Sequence, residues 1–231
     1  MDTCMKKVIY SGVVVCLVLA LWYALSADFR QAVYYQYYTR IKHPEIAGGP
    51  CGPNCDGYID QQPTGNSDTL PLFANQEVDR MLLTGTIYDY HGNPAEGVLL
   101  YVFHTDSNGI YLKSQDAKGA EALNGYIRGW ILTEKDGRYY FYTNKPGAYP
   151  DGIHNAHIHC IVKEPEVNVY ALPDFVFKDD PLLSKKELNR TQQENGGVVR
   201  DSTIADFPYL VYVRDIYLGK KVVNYPKKKK R

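Results

Sequence analysis

The chain has 231 residues with 26 basic and 26 acidic side chains, so its formal net charge is zero when histidine is counted as neutral. This balance excludes an overall positive charge of the kind that attracts nucleic acid. The length suits one domain with attached segments. Tyrosine is unusually frequent, with 21 residues against 7 phenylalanines. Because tyrosine favours strands and half-buried surfaces, most of these side chains are expected to be structural.

The N-terminal segment has the pattern of an export signal. Lys6 and Lys7 precede an uncharged, mostly apolar run at residues 8–25. Both a cleaved signal peptide and a retained membrane anchor fit a run of this length. Lysines placed before the run predict that the N-terminus stays inside and the remainder lies outside. We therefore predict that residues 1–28 are a signal peptide or anchor, that the protein is exported, and that any membrane contact is through residues 8–25.

Residues 29–72 are predicted to form a linker or covering segment, because Gly, Pro, Asn and Asp are frequent from residue 46 onward. Cys51 and Cys55 lie in this segment, where an exported chain can keep a local disulfide. A metal-binding pair is the alternative, although no second Cys/His pair at zinc-finger spacing accompanies it. Residues 227–231 form a basic tail that is predicted to be solvated.

From about residue 81 the chain consists of short β-branched and aromatic runs separated by turn residues, a pattern typical of strands. The strand-like runs are "LLTGTIYDY", "VLLYVFHT", "GYIRGWILT", "RYYFYT", "AHIHCIVK", "DFVFKDD" and "LVYVRDIYL". The helix-like run is "PLLSKKELNR". The sequence therefore predicts an all-β fold over residues 73–226, an antiparallel β-sandwich or a barrel, and we favour the antiparallel β-sandwich.

The stretch "NAHIHC" contains two histidines one residue apart, His157 and His159. In a strand, residues i and i+2 point to the same face, so the two imidazoles would project together and could supply two metal ligands. Ile158 and Cys160 would then face a core on the other side. Taken alone, the pair also fits two polar residues on the wet side of a half-buried strand.

Several further motifs make the chain resemble the intradiol ring-cleavage dioxygenases, the catechol and protocatechuate dioxygenase family. They are "GNPAEGV", the "D-x-x-G-x-Y" that ends at Tyr111, the "RGW-x-x-T" that starts at Arg128, "DGRYYFYT-x-x-PGAYP" and "AHIH". The resemblance runs from about residue 83 to residue 183, under half of the chain. Several motifs in family order are more specific than two histidines alone.

The resemblance implies a non-haem Fe(III) ion held by Tyr111, Tyr149, His157 and His159. It also implies that Tyr149 takes up a proton from the substrate. Phenolate oxygens suit a hard ferric ion, whereas zinc more often takes His, Cys or carboxylate ligands. The implied reaction cleaves a catechol with O2 between its two hydroxylated carbons and gives a muconate-type diacid, with no organic cofactor.

The chain departs from the family pattern at three places. His154 stands where "RPAHIH" in well-known members has an arginine that stabilises negative charge on the bound ring, and a histidine does this only when protonated. Arg128 is the other candidate for that task, although a supporting role behind the ligands is expected for it. Asp174 stands where the family tends to carry a glutamine, and the loop from Tyr149 to His157 is shorter.

Two other functions fit part of the sequence. A non-catalytic β-sandwich binding module on the cell surface would share the fold but has no reason to keep the four ligands together. A copper or zinc site built from His154, His157 and His159 leaves both tyrosines unexplained. We predict an exported Fe(III) intradiol dioxygenase that uses a small aromatic diol and O2 and has no nucleic-acid partner. The pattern specifies neither the individual catechol nor an oligomeric state.

Overall fold

The structure is a computed structural model of the full chain. The residues it describes are 14–16, 18–23, 26–43, 45–49, 51, 55, 61–73, 79–193, 198–202 and 208–226. The chain divides into two compact units, Met1–Pro44 and Glu45–Arg231. The predicted signal or anchor at residues 1–28 lies partly outside the described residues, and the basic tail at 227–231 lies wholly outside them.

The first unit is helical where it is described. Residues 14–16 and 18–23 are helical, α1 spans Ala27–Tyr37, and a π-helix follows at Tyr38–Lys42. The hydroxyl oxygen of Ser26 accepts a hydrogen bond from the Phe29 N–H at 3.1 Å, which satisfies one of the free donors at the start of α1. Within the described residues, no helix has both the length and the apolar character needed to cross a bilayer.

The second unit is mostly β, which confirms the predicted all-β class. Its described residues form the strands β1 Ser67–Thr69, β2 Arg80–Tyr88, β3 Leu99–Phe103, β4 Arg128–Leu132, β5 Arg138–Asn144, β6 His157–Lys163, β7 Tyr170–Phe177, β8 Val198–Ser202, β9 Leu210–Val213 and β10 Ile216–Tyr217. Two helices accompany them, α2 Gly119–Asn124 and α3 Lys185–Gln193. Each of the strand-like runs of the sequence contains a strand, whereas β1, β8 and α2 were not predicted.

The strands are hydrogen-bonded in the order β1-β5-β2-β9-β8-β7-β6-β3-β4, and β10 pairs with β2. The predicted antiparallel arrangement is correct for β2–β5, β3–β4, β3–β6, β6–β7 and β8–β9. It is wrong for β1–β5, β2–β9, β7–β8 and β2–β10, which are parallel. In each parallel pair a long connection separates the two strands, and a tight hairpin cannot make such a pair.

The main core lies between two layers, one formed around β2 and β5 and the other around β3, β4, β6 and β7. Leu83 and Phe141 face it from the first layer, and Val102, Ile158 and Phe175 face it from the second. Because side chains alternate along a strand, the opposite face of the second layer is free to carry other groups. β6 lies in the middle of that layer, between β3 and β7.

A smaller apolar cluster covers part of the outer face of the second layer. Tyr101, Phe103 and Ile161 are buried there together with Cys55. Cys55 forms the predicted local disulfide with Cys51. Through the packing of Cys55, the covering segment therefore lies against the same face that carries His157 and His159.

Candidate metal centre

Two loops bring the candidate tyrosine ligands together. Tyr111 and Tyr149 are 38 residues apart, yet their phenol oxygens share a hydrogen bond of 2.7 Å. A Cβ atom at Gly109 would lie 2.0 Å from the backbone oxygen of Ala148, and one at Gly147 would lie 2.2 Å from the backbone oxygen of Ser107. Only glycine permits this approach of one backbone to the other, and it explains the Gly in both tyrosine motifs.

The two histidines project from the outer face of β6, as predicted from the alternation. Their rings are 4.7 Å apart between centroids, and the His157 ring lies 5.0 Å from that of Tyr149. His159 Nε2 lies 2.8 Å from the Tyr111 phenol oxygen. The structure therefore places all four predicted ligands in one cluster.

Hydrogen bonds fix which nitrogen each histidine directs at the cluster. His157 Nδ1 lies 2.7 Å from the backbone oxygen of Asn155, which can only accept, so Nδ1 carries the proton and Nε2 the lone pair. His159 Nδ1 lies 3.0 Å from an Asp174 carboxylate oxygen, which leaves its Nε2 toward Tyr111. Burial lowers the pKa of His157, so its imidazole is neutral and able to coordinate a metal.

The tyrosines lie in surroundings that require a cation before they can ionise. Burial, followed by the hydrogen bond with Tyr149, raises the pKa of Tyr111 well above its ordinary value. Burial likewise raises the pKa of Tyr149. A pair of adjacent phenolates is unfavourable in such a site unless a strongly positive ion compensates their charge. Two phenol oxygens and two imidazole nitrogens are a donor set that fits a ferric ion.

His154 lies at the rim of the cluster, with its ring centroid 5.5 Å from that of Tyr149. Its Nδ1 is 2.5 Å from an Asp151 carboxylate oxygen, and the side chain is 61% exposed. Asp151 also accepts hydrogen bonds from the backbone N–H groups of Ile153 and His154, and these bonds lower its pKa to about 2. The short loop thus holds His154 beside Tyr149 through its own turn.

Arg128 supports the loop of Tyr111 from behind. Its guanidinium donates to the Gly125 backbone oxygen at 2.8 Å and lies over the Trp130 ring at 5.6 Å. Gly125 has a positive φ of 72°, and a Cβ atom there would lie 3.3 Å from the Tyr111 Cβ. These contacts agree with the supporting role expected for Arg128.

Asp174 is the residue of the site that the sequence did not assign. Ligand atoms of His157, His159 and Asp174 lie within 4.8 Å of one another. The departure of Asp174 from the family glutamine was a signal, but its contact with His159 could not be read from spacing. His154 is not part of this group, so the alternative site built from three histidines gains no support.

Comparison with known proteins connects this geometry to a family. A dioxygenase family model matches residues 54–211, a range that includes all four candidate ligands. The protocatechuate 3,4-dioxygenase beta chain of Burkholderia cepacia is 31% identical over 135 residues, which are 56% of this chain and 56% of the relative. The chain belongs to the intradiol ring-cleavage dioxygenase family.

A second curated dioxygenase matches over a shorter alignment. Chlorocatechol 1,2-dioxygenase of Rhodococcus opacus is 33% identical over 86 residues, which cover 37% of this chain and 32% of that protein. The aligned part of the chain thus spans 32% to 56% of the length of these curated relatives.

Solved structures of dioxygenases share the fold. The wild-type catechol 1,2-dioxygenase of Acinetobacter radioresistens aligns with a TM-score of 0.54 at 19% identity, covering 99% of this chain and 81% of that one. The dioxygenase domain of a carbohydrate-binding fusion protein from Streptomyces sp. SirexAA-E aligns with a TM-score of 0.51 at 19% identity, covering 69% of this chain and 90% of that one.

Proposed function

We propose that this protein is an exported non-haem Fe(III) intradiol dioxygenase that cleaves a catechol with O2 between its hydroxylated carbons to a muconate-type diacid. The observation that carries the proposal is the convergence of Tyr111, Tyr149, His157 and His159. The oxygen of Tyr111 lies 2.7 Å from that of Tyr149 and 2.8 Å from His159 Nε2. A binding module that only shares the fold does not need this donor set.

A ferric ion in this cluster would supply Lewis acidity toward the two oxygens of a bound catechol. The side chains divide the remaining tasks. Tyr149 is less deeply buried than Tyr111 and lies at the rim beside His154, so it is the phenol oxygen best placed to accept a proton from an incoming diol. Tyr111 is held by His159 and by the glycine turn behind it, and it stays in place.

His154 and Arg128 take different parts in this proposal. His154, at the open rim, is the residue that would face negative charge on a bound ring when its imidazole is protonated. Asp151, 2.5 Å from its Nδ1, orients that ring beside Tyr149. Arg128 holds the backbone that carries Tyr111 through the Gly125 carbonyl.

Export is the second part of the proposal. It is supported by the apolar run at residues 8–25 with Lys6 and Lys7 before it, and by the Cys51–Cys55 disulfide, which persists in oxidising compartments. Fractionation of cells that express the tagged full-length chain tests it. A cytosolic protein with both cysteines reduced would contradict this part and leave the chemistry untouched.

The visible absorption spectrum of the purified full-length protein, with its iron content, tests the chemistry. We expect a tyrosinate-to-ferric charge-transfer band that moves to longer wavelength when catechol is added anaerobically. Admission of O2 should then give the ultraviolet absorption of a muconate-type diacid. The matched control for the role of the phenol oxygen is Tyr149→Phe, which keeps the aromatic ring but removes that candidate ligand.

The outcomes separate the two candidate functions. A coloured protein that shifts with catechol and forms the diacid supports the dioxygenase. A protein that stays colourless after reconstitution with Fe(III) contradicts it and leaves the non-catalytic binding module.

A further inference from the structure

A β-bulge lies directly opposite one of the histidine ligands. β6 and β7 pair as Ile158 with Phe175 and Cys160 with Leu172, so two residues of β7, Pro173 and Asp174, stand against the single residue between Ile158 and Cys160. Leu172 and Phe175 both face the main core, although residues three apart face opposite sides of a regular strand. The extra residue resolves this conflict and turns Asp174 to the outer face, where the metal site lies.

The bulge is held from the core side by a buried arginine. Arg214 is 2% exposed, and its guanidinium donates to the Pro173 backbone oxygen at 2.8 Å. The same group lies 4.3 Å from the centroid of the Phe175 ring. Proline has no N–H to leave unpaired in a bulge, so Pro173 suits this position. The backbone on both sides of Asp174 is therefore fixed by contacts away from the metal site.

Asp174 determines how the His159 ring is presented. A carboxylate can only accept a hydrogen bond, so His159 Nδ1, 3.0 Å away, carries the proton. In the neutral ring Nε2 then holds the lone pair, and it lies 2.8 Å from the Tyr111 oxygen. Phe103 stacks on the ring at 4.5 Å between centroids and limits its rotation. Nδ1 faces the Asp174 carboxylate and Nε2 faces the Tyr111 oxygen, so the ring lies between these two groups.

We propose that Asp174 is a positioning residue for His159, a charged hydrogen-bond acceptor that aims Nε2 at the metal and strengthens it as a donor. The inference rests on the proposed function, because it assigns a task within the same iron site. The two ligand histidines then differ in kind. His157 is held by a neutral backbone carbonyl, that of Asn155. His159 is held by a carboxylate, whose negative charge makes the imidazole a stronger electron donor.

The test compares Asp174→Ala, Asp174→Asn and Asp179→Asn. Asp179 pairs with Lys145 at 2.6 Å and is mostly exposed, so its substitution matches the charge change elsewhere on the surface. We expect Asp174→Ala to bind Fe(III) about 10- to 100-fold more weakly in competition with a chelator, the usual effect of losing such a partner. Asp174→Asn should keep most of the affinity because an amide oxygen can still accept from Nδ1.

The electronic readouts are the ones that a purely structural role would not move. Loss of the carboxylate charge in Asp174→Asn should raise the Fe(III)/Fe(II) midpoint potential and move the charge-transfer band to longer wavelength. Asp179→Asn should leave the potential, the band and the affinity unchanged. If Asp174→Ala and Asp174→Asn both keep the wild-type affinity, band and potential, the positioning role is wrong.

An iron-free measurement separates this inference from the proposed function. Nitrogen NMR of the imidazole of His159 in iron-free protein should show the proton on Nδ1, and Asp174→Ala should lose that preference. If the wild type gives no coloured iron complex but the preference depends on Asp174, the dioxygenase proposal fails and the hydrogen-bond assignment stands. A preference that persists in Asp174→Ala contradicts the assignment whether or not iron binds.

Discussion

The two faces of β6 differ in character, although the residues that form them alternate along the same strand. On the inner face Ile158 and Cys160 are fully buried among apolar side chains, and burial raises the pKa of the Cys160 thiol to about 12, so it stays neutral. On the outer face His157 and His159 are half-buried, and each has one nitrogen held by a polar acceptor. The inner face contributes stability, and the outer face carries the ligands of the proposed metal site. Substitutions on the two faces should therefore have separable effects.

The largest expected effect is on the outer face. Tyr111→Phe removes one phenolate donor but keeps the ring that packs near Phe103 at 6.3 Å. We expect loss of the charge-transfer band and of ring-cleavage activity, measured by absorption and by O2 uptake. Unfolding of the iron-free variant should remain close to the wild type, because the substitution leaves the main core untouched. A variant that keeps the colour would show that Tyr111 is not a ligand.

The matching change on the inner face is Ile158→Ala. This residue is 0% exposed, so the substitution should lower the free energy of unfolding by about 2–5 kcal/mol, from lost burial and the cavity left behind. Denaturant titration of the iron-free protein measures this effect. In protein that remains folded, the charge-transfer band should keep its position. A displaced band would mean that the two faces are coupled.

A buried histidine outside β6, His104, offers a contrast with the two half-buried histidines of the outer face, and it should show in the pH dependence of the free energy of unfolding. His104 is buried, with Nδ1 2.6 Å from the Thr105 backbone oxygen and Nε2 2.8 Å from the Thr143 hydroxyl oxygen, and burial lowers its pKa to about 4. The unfolded chain takes up a proton near pH 6.5, whereas the folded chain does so only near pH 4. The free energy of unfolding should therefore fall by about 3 kcal/mol between these values as the pH is lowered. His104→Gln should remove that part of the slope in iron-free protein.

The smallest expected effect concerns substrate charge. Asp174 and Asp151 act on Tyr149, where their charges add to the effect of burial in raising its pKa. A catechol with its own carboxylate would meet these charges, and partial exposure weakens the repulsion. We expect kcat/KM to favour catechol over 3,4-dihydroxybenzoate by roughly fivefold beyond any steric effect. Asp174→Asn should narrow the ratio, whereas Asp179→Asn should not.

The part of the site that the sequence could predict is the part encoded by local pattern. The H-x-H spacing placed His157 and His159 on one face because strand alternation depends on neighbouring residues alone. The glycines at 109 and 147 belong to motifs that also contain the tyrosine ligands. The seven strand-like runs were visible for the same reason, since each has its own apolar texture and turn signals.

The rest depends on contacts between distant segments. β1 and β8 each pair in parallel with a strand that is distant along the chain, so no hairpin signal marks these pairings. The change of face in β7 leaves a trace, because apolar residues occupy positions 170, 172, 175 and 177. These positions indicate a bulge only when the buried side of β7 is already known. The contact of Asp174 with His159 depends on the bulge, so it could not be predicted from the sequence without it.

The close approach of the backbones at Gly109 and Gly147 also determines when the candidate ligands come together during folding. Tyr111 lies 38 residues before Tyr149 and 48 before His159, so a chain that has not closed these segments offers a metal the neighbouring histidines but not the Tyr111 oxygen beside them. The chelating pocket comes into existence with the tertiary structure. Under the proposed function, the full set of four iron ligands would therefore become available only once the chain has folded.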